Sequence, residues 1–112
     1  MTRSHAGAPP IVRGRIYGAV IEDRGEKYYL AVSNNQRNAR LGDFLAVRLT
    51  TSRKPRLPSI VHLTENDAPW VGSVCCDDVE KVYRDEVIRD YGALPPQTLA
   101  RVDDALRAAL NL

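Results

Sequence analysis

No stretch of the 112 residues approaches the roughly 20 consecutive apolar positions of a membrane-spanning helix, and a cytoplasmic protein is expected. The first ten residues, MTRSHAGAPP, lack the apolar centre of a secretory signal. Cysteine is scarce and badly placed for bridging. Cys75 and Cys76 are adjacent, with Cα atoms about 3.8 Å apart, whereas a disulfide normally spans about 4.4–6.8 Å. Two thiols on a strand, one facing in and one out, is the simple reading; a strained redox switch is the alternative. Only two histidines are present, one of them His5 near the N-terminus, and no second cysteine pair completes a zinc-ligand spacing. Asp77, Asp78 and Glu80 do not make up for this, because 78 and 80 share a strand face that 77 does not, as in a polar rim. Net charge is only +2 with a pI near 8.7, too mild to mark a nucleic-acid binder by itself.

What the chain does have is local patterning. Lys27 to Asn35 reads KYYLAVSNN and Leu45 to Thr51 reads LAVRLTT. Side chains alternate sides along a strand. Tyr28, Leu30 and Val32 are therefore expected in a core, with Lys27, Tyr29, Ala31 and Ser33 on the other face. In the second segment Leu45, Val47 and Leu49 take one side and Ala46, Arg48 and Thr50 the other. Pairing with these faces aligned would gather Lys27, Ser33, Arg48 and Thr50 on one surface without a carboxylate among them, a composition suited to an anionic ligand.

Along the chain, residues 1–12 are expected to form a flexible tail ahead of a single domain at 13–112. Strands are expected at Gly14–Ile21, Lys27–Asn34, Asp43–Thr51, Ser59–Leu63, Trp70–Val82 and Val87–Tyr91. Arg24-Gly25 suits a tight turn after the first, Asn35–Gly42 reads as a polar loop, and Arg84–Glu86 as a short helical turn. From Pro96 onward, Leu99, Val102, Leu106 and Leu110 recur at helical spacing, which predicts an amphipathic helix with these four in the core. About five to seven short strands followed by one helix predict a mainly β fold, a small curved antiparallel barrel with a C-terminal helix against it.

The order of motifs then resembles a known family. Arg13 to Tyr17 (RGRIY), the strand ending AVSN at Ala31 to Asn34, and LTT at Leu49 to Thr51 occur in sequence. They are followed by RLPSIV at Arg56 to Val61, GSV at Gly72 to Val74 and the leucine-spaced ending from Tyr91 to Leu112. Together they are similar to the MazF/PemK family of toxin endoribonucleases, over nearly the whole chain after the tail. The resemblance implies an SH3-like, CcdB/PemK-like barrel and a homodimer. It also implies cleavage of single-stranded RNA without a metal or other cofactor, and neutralisation by a cognate MazE-like antitoxin.

Metal-free RNA cleavage uses the 2′-hydroxyl as internal nucleophile, so the protein must align groups, move protons and stabilise added negative charge. In the family a basic residue near the start of the second strand and a hydroxyl residue ending the next do this work. The matching positions are Lys27 and Thr50. Where the family usually has Arg-Pro this chain has Lys27-Tyr28, and lysine brings a compact charge in place of a flat multi-donor guanidinium. Arg24, in a turn shorter than is usual for the family, is the candidate to supply one. Glu80 stands where relatives commonly carry arginine.

Further RNA-contacting candidates are Arg48, Ser33 and Tyr29 on the paired strands. Arg53, Lys54 and Arg56 lie in the basic segment after Thr50, and His62 is of a residue type suited to proton transfer. Each has a plainer reading: Tyr29 as barrel packing, Arg48 as an exposed cation, the basic run as a solvated loop, His62 as an exposed imidazole. Tyr17 and Trp70 read first as packing and second as dimer face. Two other function classes remain open, a CcdB-like toxin that binds DNA gyrase without catalysis and a non-enzymatic small-barrel interaction module.

Overall fold

A computed structural model of the chain describes residues 10–112. Six antiparallel strands form one sheet: β1 (Arg15–Val20), β2 (Glu26–Ala31), β3 (Asp43–Thr50), β4 (Ile60–His62), β5 (Ser73–Tyr83) and β6 (Val87–Ala93), ordered β4-β5-β3-β2-β1-β6. The sheet curls but ends at β4 and β6, so the expected barrel is open along that seam. Among the described residues two α-helices, α1 (Asn35–Arg40) and α2 (Pro96–Leu110), and two 3-10 turns, Glu65–Asp67 and Arg84–Glu86, complete the fold. No helix among the described residues is long and apolar enough to cross a membrane.

Both faces of the central strands are buried. On one, Ile16, Leu30, Val47, Leu49, Val61, Val74 and Cys76 pack beneath Val102 and Ala105 of α2. On the other, Tyr17, Ala19, Tyr29, Ala31, Phe44 and Ala46 meet Val82 and Val87. Burial of each large apolar side chain contributes about 1.5–3 kcal/mol. The second cluster corrects the expectation of a polar face at Tyr29, Ala31 and Ser33. Its cause lies in β5, which is 11 residues long and shifts register between its pairings with Val47 and Arg48, opposite Val79 and Cys75. The irregularity lets one end of β5 pair with β4 while the other places Val82 over the face that alternation had left open.

Residues 35–42 are a further correction, since a helical turn stands where a loop was expected. Asn34 caps it, its side-chain oxygen accepting from the Arg37 N–H at 2.8 Å, and an Arg37–Asp43 ion pair at 2.6 Å ties it to β3. Six residues are too few for hydrophobic periodicity to reveal a helix. In α2, Val102 is buried and Leu99 and Leu106 are partly so, but Leu110 is 59% exposed, because the last turn runs past the sheet. The expected tail also ends too late. Ile11 is 5% exposed within the second cluster. The Val12 N–H donates to the Tyr17 hydroxyl at 2.8 Å, which in turn donates to the Pro10 carbonyl at 3.1 Å. The rest of that tail, with His5, lies outside the described residues.

Candidate active site

Antiparallel register assembles the site. Tyr28 stands opposite Leu49 and Tyr29 opposite Arg48, so one further step along the ladder brings Lys27 opposite Thr50. Opposed residues point to the same side with Cβ atoms about 5 Å apart, and alternation puts Lys27, Tyr29, Arg48 and Thr50 on one face. Lys27 and Thr50 are half-buried. The Lys27 side chain makes no hydrogen bond or ion pair among the described residues. Thr50 Oγ1 accepts from the Ser52 N–H at 3.2 Å and retains its own proton to donate.

The row continues across the sheet. Thr50 is opposite Ser73, and Ser73 is opposite His62. Two strand spacings of about 4.8 Å put the His62 backbone about 10 Å from that of Thr50, a relation invisible in a sequence separation of twelve. His62 Nε2 lies 2.7 Å from the Lys54 carbonyl, which fixes the proton of the neutral ring on that nitrogen. The Lys54 N–H donates to Ser73 Oγ at 3.2 Å. The basic segment is thus laid over Ser73, between Thr50 and His62.

Around this row, Arg48 sits between its strand partners Tyr29 and Cys75, its Nε buried without a hydrogen-bond partner among the described residues. The Tyr29 phenol is pushed above its ordinary pKa by burial and by Glu80, against the opposing charges of Arg24 and Arg48. Glu80, opposite Ala46, shares this face with Arg48, so the face is not free of carboxylates. Tyr29, 1% exposed, is packing and not a stacking platform. Ser33 also drops out. It is 7% exposed, its hydroxyl donates to Asn38, and it accepts from the Leu45 N–H at 2.9 Å.

Sequence reasoning missed the aromatic wall behind the site. Tyr28, Trp70 and Tyr91 pack edge to face with ring centroids 5.2–5.5 Å apart. Tyr91 donates to Glu26 at 2.9 Å, and this bond, with some loss of solvation and the Glu26 charge, pushes its phenol upward. Tyr28, Trp70, Leu49 and Thr50 border a hollow of about 180 Å³. The ring at position 28, where the family has proline, was the one available signal. Its partners lie 42 and 63 residues further along the chain, 70 − 28 and 91 − 28.

Residues 13–110 match the family described as PemK-like, MazF-like toxin of type II toxin-antitoxin system. The chain belongs to that family. Among MazF relatives, it is 38% identical over 101 residues to Endoribonuclease MazF4 of Mycobacterium tuberculosis, spanning 90% of this chain and 93% of the relative. Endoribonuclease MazF1 of Mycobacterium bovis matches to the same extent, 38% over 101 residues. A solved endoribonuclease in complex with its cognate antitoxin, from a mycobacterial species, superposes with a TM-score of 0.83 at 37% identity, covering 91% of this chain and 96% of that one. A MazE–MazF structure from Deinococcus radiodurans, 20% identical with a TM-score of 0.75, covers 94% and 97% and supports the MazF fold alone.

Proposed function

We propose that Lys27 and Thr50 carry the chemistry of this MazF-like endoribonuclease toxin, which cleaves single-stranded RNA in the cytoplasm without a metal ion. The observation that supports this most is the β2–β3 register, whose last pair, Tyr28 opposite Leu49, leaves Lys27 and Thr50 as the next residues on the two strands. A phosphodiester seated between them meets an ammonium that neutralises charge as the phosphorus becomes five-coordinate, and a hydroxyl that donates to a non-bridging oxygen. The 2′-oxygen forms its bond to phosphorus, the bond to the 5′-oxygen breaks, the 2′-hydroxyl loses a proton and the leaving oxygen gains one. The products are a 2′,3′-cyclic phosphate and a 5′-hydroxyl, and DNA, lacking the nucleophile, is inert. Arg24 on the turn above and Arg48 on the same face add positive potential; Arg24 offers the planar multi-donor group that Lys27 lacks.

The toxin acts as a homodimer and is held inactive by a cognate MazE-like antitoxin. Incubating the protein with a mixed RNA pool in excess chelator and mapping the ends tests the reading. Cleavage that leaves 5′-hydroxyl ends is expected, with Thr50→Ala and Lys27→Ala each slowing it about 100-fold or more in folded protein. An uncut pool would remove the RNase reading in favour of a gyrase-binding toxin, and an unchanged rate in either variant would remove that residue from the mechanism.

A further inference from the structure

A concentration of positive charge lies beyond Thr50. A hollow of about 460 Å³ is lined by Arg53, Arg56, His62 and Arg101, with Thr64 among the remaining residues and no carboxylate. In a chain of net charge only +2, three guanidinium groups and an imidazole around one concavity form a local field that the overall balance conceals. Two of the arginines are anchored. Arg101 of α2 donates through Nη2 to the His62 carbonyl at 2.9 Å, and Arg53 through Nη1 to the Leu63 carbonyl at 3.4 Å. Each guanidinium has five N–H donors, so one bond to the backbone orients the group and leaves the others available.

The hollow lies two strands from Thr50, on the far side of the basic segment that covers Ser73. His62 ends the cross-strand row that begins at Lys27 and passes through Thr50 and Ser73, about 10 Å from Thr50 by strand spacing. That is too far for His62 to exchange a proton at the scissile phosphate, which needs contact at about 2.6–3.2 Å. It is near enough for the same RNA strand to reach both places. The geometry points to a second phosphate site: Arg53, Arg56 and Arg101 hold a backbone phosphodiester flanking the scissile one, with His62 at its floor.

This inference rests on the RNase reading, and it assigns Arg101, which no motif in the sequence singled out, a role in positioning substrate. RNA is favoured over an acidic protein segment because the hollow lies in line with Lys27 and Thr50 and because its donors suit tetrahedral phosphate oxygens.

The test uses a short single-stranded RNA containing the mapped cleavage site, in which flanking phosphates are replaced one at a time by neutral methylphosphonate linkages. With the wild-type toxin, one flanking replacement raises KM several-fold and leaves kcat nearly unchanged. Arg101→Ala and the exposed Arg56→Ala raise KM for the unmodified RNA, show little further loss on that replacement, and lower the salt slope of binding by about 0.7 for each phosphate contact removed. Arg56→Ala guards against a folding artefact, because the Arg56 side chain makes no hydrogen bond among the described residues. Independent, additive losses from variant and replacement at every position would overturn the assignment. So would variants with unaltered RNA kinetics and weakened inhibition by the antitoxin, which would make the hollow a protein-docking surface. Failure of the wild type to cut unmodified RNA would instead sink the underlying RNase reading.

Discussion

Gly72 lies against the end of β3 so closely that a Cβ placed on it would overlap the carbonyl oxygen of Thr50. Its φ of +98° is also one that side chains rarely adopt. The absence of a side chain at 72 thus sets where Thr50 can stand, and thereby where its hydroxyl points. Gly72→Ala is expected to displace the end of β3, to cost about 1–3 kcal/mol from backbone strain, and to lower kcat more than it raises KM. Thermal melting beside single-turnover cleavage checks this, and a stable variant with wild-type kcat would show that the contact does not position Thr50.

Ser33 was expected among the RNA contacts, and its burial predicts a different behaviour. Ser33→Ala leaves the Leu45 N–H and the Asn38 side chain short of a partner. A loss of about 1–3 kcal/mol in stability is expected, with RNA affinity unchanged once the protein is folded. Denaturant unfolding and RNA titration separate the two effects.

Asp67 is 2% exposed and links the turn at residues 65–67 to α2 by accepting from the Thr98 hydroxyl. Its other oxygen accepts from the Thr64 N–H at 2.9 Å. Thr98→Val removes one donor from a buried carboxylate and is expected to cost about 1–3 kcal/mol, lowering Tm by several degrees. Calorimetry on the folded variant checks it.

Burial pushes the Cys76 thiol up to about 12 from an ordinary 9.0. Between those values the unfolded chain gives up its thiol proton while the folded chain keeps it, so stability is intact below about pH 9 and falls as pH rises toward 12. The slope approaches about 1.4 kcal/mol per pH unit. Cys76→Ala should flatten the alkaline limb relative to wild type in urea melts taken between pH 8 and 11. Iodoacetamide should modify half-buried Cys75 while sparing buried Cys76 until the protein unfolds.

Much of this was legible in the sequence. Alternation in β2 and β3, Pro96 at the start of α2 and the leucine spacing after it are local signals, and the ordered motifs from Arg13 onward carried the family. What the sequence hid depends on contacts between distant segments. Period-2 patterning shows that Tyr29 and Ala31 share a face but not that β5 returns to cover it with Val82. Asn34 as a helix cap looked like a strand end. Arg101 was indistinguishable from any exposed helical arginine until α2 packed beside β4.

The most direct test of the central claim compares two RNAs in excess chelator, identical except for a single 2′-deoxy substitution at the scissile nucleotide. If Lys27 and Thr50 act on a phosphate attacked by its own 2′-hydroxyl, the unmodified strand is cut to a 2′,3′-cyclic phosphate and the substituted strand stays intact. Cleavage of the deoxy-substituted strand at a comparable rate, or cleavage only after a divalent ion is added back, would contradict that account.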